Sequence, residues 1–155
     1  TLLSVAAGDC GMIGGQIMDM AAERSKAVSL EYLTKMHEKK TGALIRAAVR
    51  LGCLAAGRGD DAKLIQAAEG YAEKIGLAFQ IVDDLLDVTG DAALLGKNTG
   101  ADSANNKTTF MSFYTIEEAR LYAAQLTEQA IAEIGPYDGS GTLSALASYL
   151  LERDH

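Results

Sequence analysis

The sequence contains one proline, Pro136, among its 155 residues. Proline interrupts an α-helix more strongly than any other residue, so its scarcity leaves long segments able to be helical. Alanine and leucine are abundant, aromatic residues make up only 6% of the chain, and runs of β-branched residues are rare. This composition predicts an all-α protein, and the length suits a single helical domain over residues 1–155 with one sizeable core.

The periodicity of apolar residues and the positions of turn residues predict where the helices begin and end. Ser29 precedes an acidic first turn and is typical of a helix N-cap, while Gly135-Pro136 marks the clearest boundary in the chain. The predicted helices span residues 2–24, 29–57, 61–88, 116–134 and 142–152, with a disturbance of the second helix at Thr41–Gly42. We predict a loop over residues 89–115, and a loop of that length in a compact helical domain is usually functional or disordered.

Glycines recur at three- and four-residue spacing in the first predicted helix. They do not match the dinucleotide-binding fingerprint. Small residues at this spacing let a neighbouring helix approach closely, at a cost of about 1 kcal/mol each relative to alanine. The glycines are Gly8, Gly11, Gly14 and Gly15.

The chain carries a formal net charge of −7. An acidic surface repels nucleic acid, which we exclude as a partner, and a substrate with phosphates would need metal ions or local lysines. No segment reaches the roughly 18 consecutive apolar residues of a membrane span and no signal peptide is visible, so we expect a cytoplasmic protein. Cys10 and Cys53 lack metal-ligand spacing and are predicted to be buried. The start at Thr1, inside an apolar pattern, predicts that the chain begins within a longer protein.

Three carboxylates lie in an otherwise apolar helix at Phe79–Asp87, FQIVDDLLD. Asp83 and Asp87 are one turn apart on the same face, with Asp84 beside them and Gln80 one turn before. Two carboxylates about 6 Å apart repel by roughly 3 kcal/mol at an effective dielectric constant of 20, and no basic residue at helical spacing relieves this. Such carboxylates suit Mg²⁺, which bridges to substrate phosphates. A solvated acidic face remains the alternative.

Other kinds of site fit the sequence less well. The segment after Asp87 lacks the ligand pattern of an EF-hand, and neither histidine follows a glutamate at the spacing of a di-iron bundle. Gly96-Lys97 lacks the remaining residues of a P-loop, and two isolated histidines do not provide a hydrolytic triad. We predict that His37, among lysines, is solvated. Arg153, near the end of the chain, either closes over the site or is solvated, and we favour the second.

Taken together, the motifs resemble the trans-type polyprenyl diphosphate synthase family, most closely the C-terminal half of bacterial farnesyl diphosphate synthases. The resemblance covers essentially the whole chain. A DDxxD motif alone is weak evidence, whereas its combination with an upstream KTGAL and a downstream glycine loop bearing lysines is specific. The motifs are Gly14-Gly15-Gln16 with Asp19, His37–Leu44, Phe79–Asp87, Gly96-Lys97, Gly100–Asp102 and Lys107–Thr109.

The resemblance implies an antiparallel helical bundle of the isoprenoid synthase type around a deep cavity, with the aspartates at its mouth. It also implies a prenyltransferase that condenses isopentenyl diphosphate with dimethylallyl or geranyl diphosphate to give farnesyl diphosphate, with Mg²⁺ assisting departure of the diphosphate. The implied Mg²⁺ ligands are Asp83, Asp84 and Asp87. The lysines implied to bind diphosphate are Lys40, Lys97 and Lys107, of which the first two are also catalytic. Facing the allylic carbocation would be Thr41 and Gln80, with Phe79 bordering the second substrate.

The resemblance also sets limits. The family's first aspartate-rich motif is absent, and Asp60-Asp61 does not replace it, so we expect the chain alone to bind little Mg²⁺–diphosphate and to be inactive. The full-length protein is expected to be a homodimer. One alternative is a non-catalytic helical subunit or interaction module, and a terpene cyclase is a weaker one. Gln16 and Asp19 are expected to tie helices together. The resemblance implies that product chain length is set mainly by residues near the first aspartate-rich motif, which this sequence lacks.

Overall fold

The computed structural model describes residues 1–25, 28–94 and 108–153. Within these ranges the protein consists of α-helices, one π-helical turn and two short 3-10 turns, without a β-strand. The predicted all-α class is therefore confirmed. The helices are α1 Leu2–Ala7, α2 Met12–Glu23, α3 Leu30–His37, α4 Ala43–Ala55, α5 Ala62–Leu94, α6 Ile116–Ile134 and α7 Thr142–Glu152.

Helix α5 is the central helix of the fold. Its 33 residues would extend about 50 Å at the usual rise per residue. Helix α6 packs along it most extensively, and α4 and α7 also contact it. The close packing of α6 depends on small side chains, because alanines spaced along one face of this helix are fully buried. They are Ala119, Ala123 and Ala130.

The apolar core forms two clusters along α5. One surrounds the half of the helix that carries the three aspartates and consists of Leu33, Met36, Ala78, Ile81, Val82, Leu85, Phe110, Ala119, Ala123 and Leu126. The other surrounds the first half and consists of Cys53, Ala68, Tyr71, Ile75, Ala130, Ile134 and Ala147. The backbone beneath the aspartates is therefore held by buried side chains from α3, α6 and the 3-10 turn Phe110–Ser112.

Side-chain caps begin several helices, among them α3, α5 and α6. The Ser29 hydroxyl accepts a hydrogen bond from the Tyr32 backbone N–H at 3.1 Å, which confirms the predicted N-cap of α3. At α6, Thr115 and Glu118 form a reciprocal capping box, with each side chain accepting from the other's backbone N–H. Such caps satisfy N–H groups that have no partner within the helix. The capping box was not recognised in the sequence.

The prediction of one helix over residues 2–24 was wrong. The structure divides it into α1 and α2 at residues 8–11, where the Gly8 N–H closes the first helix on the Val5 carbonyl at 3.2 Å. A Cβ at Gly11 would collide with the Ala6 carbonyl group, so this break requires glycine. The glycine pattern therefore reflects a sharp change in backbone direction as well as close packing.

The long loop was predicted to begin too early. Helix α5 continues past residue 88 to Leu94, and a 3-10 turn lies at Phe110–Ser112. Thr89 is accommodated in the helix because its hydroxyl donates to the Leu85 carbonyl at 2.9 Å. By contrast, the disturbance predicted at Thr41–Gly42 is confirmed as a π-helical turn, Glu38–Gly42, between α3 and α4.

Cys53 is buried as predicted, whereas Cys10 is exposed because it lies in the break between α1 and α2. The prediction for Cys10 was therefore wrong. None of the helices in the described ranges combines the length and apolar character that a membrane span needs.

Candidate functional site

The aspartates form an acidic turn on α5, defined here as Asp83, Asp84 and Asp87. Asp83 and Asp87 are exposed and Asp84 is half-buried. Ile81, just before the acidic turn, and Leu85, within it, are buried in the core, as the period of the helix requires. The buried side chains thus hold α5 in place, while the face that carries the aspartates is open to solvent.

Asp84 has a second attachment that the sequence did not reveal. Its Oδ2 accepts a hydrogen bond from the backbone N–H of Phe110 at 2.7 Å. Phe110 is fully buried, so this carboxylate satisfies an amide that lies next to the core. The acidic turn is therefore tied to the segment that follows residue 107.

The ring of Phe110 stacks on His37, with ring centroids 5.4 Å apart. His37 is buried rather than solvated, so its prediction was wrong. The error arose because the neighbouring lysines suggested a surface position, whereas His37 is the last residue of α3 and faces the core. It precedes the π-helical turn, which brings Lys40 and Thr41 into the same region.

The π-helical turn contacts both α2 and α5. The Lys40 ammonium group lies 2.5 Å from Asp19 Oδ2 on α2, and the Asp19 side chain is only 6% exposed. The Thr41 hydroxyl donates to Gln80 Oε1 on α5 at 3.2 Å. Asp19 therefore ties helices together as expected, while Gln16 is exposed. Turns of this type occur frequently at functional sites.

Arg153 reaches the acidic turn from the end of α7. Its Nη2 donates to the Phe79 carbonyl and to Asp83 Oδ1, both at 3.0 Å, and its guanidinium lies 3.8 Å from the centre of the Phe79 ring. The Arg153 side chain is 14% exposed. The prediction that Arg153 is solvated was therefore wrong, because a residue 70 positions away in sequence is its partner.

The structure thus brings several predicted site residues together along one stretch of α5. Thr41 contacts Gln80, and Gln80 lies one helical turn before Asp83. Phe79 and Asp83 share Arg153 as a partner. Lys40 is held by Asp19 rather than by the acidic turn. Two predicted diphosphate ligands lie outside the described residues: Lys97 and Lys107.

One cavity lies beside the acidic turn, and a second lies farther along α5. One of about 380 Å³ lies between α5, α6 and α7, with Val82, Leu85, Leu86 and Arg153 in its lining. A larger one of about 900 Å³ follows the first half of α5. The three aspartates line neither of these two cavities.

The acidic turn offers donors that fit a hard divalent cation. Mg²⁺ usually takes one or two protein carboxylates and completes its shell with water or substrate phosphates, which the exposed Asp83 and Asp87 suit. Within the described ranges, no three His, Cys, Asp or Glu side chains converge as a ready-made cation cage. Any cation here would therefore depend on water or substrate oxygens for much of its coordination.

Comparison with known proteins identifies the family. A model of the polyprenyl synthetase family matches residues 4–136. The chain belongs to the polyprenyl synthetase family. It is 44% identical over 156 residues to farnesyl diphosphate synthase of Escherichia coli, an alignment that covers 98% of this chain and 52% of that enzyme. It is 40% identical to geranylgeranyl diphosphate synthase of Cyanophora paradoxa, covering 94% of this chain and 48% of the relative.

Solved structures agree on the fold of this polyprenyl synthetase family member. An FPP/GFPP synthase from Zymomonas mobilis superimposes with a TM-score of 0.79 at 33% identity, covering 96% of this chain and 48% of the other. This confirms the predicted helical bundle of the isoprenoid synthase type. The chain spans about half the length of the curated relatives it matches.

Proposed function

We propose that this chain supplies the diphosphate-binding part of a polyprenyl diphosphate synthase. The proposed reaction joins isopentenyl diphosphate to an allylic diphosphate, dimethylallyl or geranyl, and yields farnesyl diphosphate. Family membership supports the reaction class, and the name of the Escherichia coli relative supports the product. The observation that carries the proposal is the pair of exposed carboxylates, Asp83 and Asp87, on a helix whose other face is buried.

The acidic turn is the proposed Mg²⁺ site. Asp83 and Asp87 present exposed oxygens, and Asp84 completes the proposed ligand set while its Oδ2 also holds Phe110. When bound, Mg²⁺ would neutralise diphosphate charge and assist its departure. The residues of this chain would then bind the diphosphate and hold it over the acidic turn.

Lysines supply the proposed positive charge around the diphosphate. Lys40 is 29% exposed at its side chain, so its ammonium group is accessible although it contacts Asp19. Lys97 and Lys107, outside the described residues, are proposed for the same role. Compact ammonium groups stabilise the negative charge that develops on a departing diphosphate.

Thr41 and Gln80 are proposed to face the allylic carbon as positive charge develops on it. Their side-chain oxygens already meet at 3.2 Å, so both are positioned before substrate arrives. Oxygen dipoles held in place in this way stabilise a cation without reorganising during the reaction. Phe79 is proposed to border isopentenyl diphosphate, on the side of α5 that Arg153 now covers.

Packing with further protein is also part of the proposal. Large apolar side chains along α1 and α2 are 49% to 59% exposed: Leu3, Val5, Ile13, Ile17 and Met20. Exposed apolar patches on a protein surface usually mark an interface. We propose that these side chains are covered in a homodimer or by the remaining length that the relatives possess, and that the isolated 155-residue chain is inactive.

A chimeric enzyme tests the proposed function. In the chimera, this chain replaces the 156-residue aligned segment of the Escherichia coli farnesyl diphosphate synthase. The chimera is incubated with Mg²⁺, radiolabelled isopentenyl diphosphate and geranyl diphosphate, and radiolabelled product is extracted and counted. We expect product from the chimera and none from the chain alone.

The Asp83→Ala variant of the chimera should lose about 100-fold or more of the rate, the scale on which removing one charge-stabilising group acts. Asp60→Ala is the matched control, since Asp60 is also an exposed aspartate but lies in the turn before α5, and should retain the rate. Circular dichroism establishes that each variant is folded. A folded chimera without product overturns the proposal and leaves a non-catalytic helical subunit or interaction module.

A further inference from the structure

Arg153 makes three different contacts with one stretch of α5. The backbone leaves the α7 helix at this residue, with φ −62° and ψ 139°, which directs the side chain back across the bundle. Its Nη2 donates to the Phe79 carbonyl and to Asp83 Oδ1, each at 3.0 Å, and the guanidinium stacks on the Phe79 ring at 3.8 Å. Arg153 is therefore the positive charge on the acidic turn that the α5 sequence itself lacks.

The ion pair between Arg153 and Asp83 is weak enough for a cation to displace it. The Arg153 side chain is mostly covered, but the Asp83 side chain is 52% exposed, so water and ions reach the carboxylate. An ion pair with one exposed partner is screened by salt and contributes little free energy. In addition, Arg153 Nε is buried without a hydrogen-bond partner, which costs free energy as long as the side chain stays docked.

The carboxylate that Arg153 holds is also a proposed cation ligand. A guanidinium held at Asp83 Oδ1 and a divalent cation bound to the same carboxylate would lie close together, and their charges repel each other. We propose that Arg153 is a positioning residue that serves as the internal counter-cation of the acidic turn. It neutralises Asp83 while no divalent cation is bound and leaves when a cation binds, which releases the end of α7. This inference rests on the proposed function, because it requires that Asp83 takes a cation.

Linkage between the two events gives a quantitative expectation. If a cation must displace Arg153 in order to bind, the free energy of the Arg153–Asp83 ion pair is lost on binding. Removing Arg153 should therefore lower the dissociation constant of the cation by the factor that corresponds to this free energy. Arg153→Met removes the charge but keeps an unbranched apolar chain over Phe79. We expect this change to tighten Mn²⁺ binding by about 1.5- to fivefold, the range that a partly exposed ion pair allows.

The measurement is a Mn²⁺ titration of the 155-residue chain, followed by water-proton relaxation, which detects weak binding. Arg58→Met is the matched control because Arg58 also forms an ion pair, with Asp61, but in the turn before α5. Asp83→Ala reports whether the signal comes from the acidic turn. A second measurement, hydrogen exchange by mass spectrometry on the unaltered chain, should show faster exchange in the last turn of α7 when Mg²⁺ is added.

Each outcome is decisive. Tighter Mn²⁺ binding by Arg153→Met, no change in Arg58→Met and Mg²⁺-dependent exchange in α7 would support the inference. Equal or weaker binding by Arg153→Met, with binding still lost in Asp83→Ala, would overturn it while leaving the proposed cation site intact. Failure of the unaltered chain and of Arg153→Met to bind Mn²⁺ would overturn the inference, whereas the proposed function would be judged separately by product formation in the chimera.

Discussion

Gly15 lies where α2 meets the π-helical turn, and its replacement by alanine should destabilise the protein. A Cβ at Gly15 would lie 2.6 Å from Lys40 Cα and 2.8 Å from Lys40 Cβ, whereas ordinary contact begins at 3.4 Å. Because backbone atoms are involved, the two elements must separate by roughly 1 Å, and overpacking of this kind costs about 1–3 kcal/mol. Alanine recovers about 0.5–1 kcal/mol of helix propensity.

The expected net loss for Gly15→Ala in the free energy of unfolding is centred on about 1 kcal/mol and reaches at most about 2.5 kcal/mol. Gly52→Ala is the matched control, because Gly52 lies inside α4 and a Cβ there meets nothing within 4 Å. That variant should gain about 0.5–1 kcal/mol. Urea unfolding followed by circular dichroism at 222 nm measures both. Equal stabilisation by the two changes would refute the close approach of α2 and the π-helical turn.

Three further predictions concern single side chains. Lys40→Met removes an ammonium from a buried carboxylate and should cost about 1–3 kcal/mol in urea unfolding, whereas Lys39→Met should cost less than about 0.5 kcal/mol because Lys39 makes an exposed contact. Asp84→Ala should increase hydrogen exchange at the 3-10 turn that this carboxylate holds, and Asp84→Asn, which keeps an oxygen acceptor, should restore much of the protection. The backbone N–H of Ser144 lowers the pKa of Asp138 below 3.8, so its stabilisation is present above pH 3.8 and is lost as pH falls through the lowered pKa. Asp138→Asn should therefore flatten the decrease in thermal stability as the pH falls below about 4, and an unchanged decrease would contradict this assignment.

Much of the helical framework was predictable because its signals are local. Ser29 caps α3 through its own neighbours, and Gly135-Pro136 ends α6 within one turn. The boundaries that were missed involve glycine and threonine, whose effects depend on context. Gly11 required a break between α1 and α2, whereas Thr89 was tolerated inside α5.

The candidate site was predictable only in part. The acidic turn was evident because the spacing of Asp83 and Asp87 places them on one helix face. The partners of these residues were not evident, because Arg153 and Phe110 reach α5 from distant parts of the chain. Contacts between residues so far apart in sequence depend on helix packing, which a local pattern does not encode.

The location of a bound cation tests the central claim most directly. Crystals of the chimera grown with Mn²⁺ and inorganic pyrophosphate would reveal the metal through its anomalous scattering. The account predicts an anomalous peak at the carboxylates of Asp83 and Asp87, with Arg153 withdrawn from Asp83. Pyrophosphate bound at another place, with no anomalous peak at the acidic turn, would contradict it.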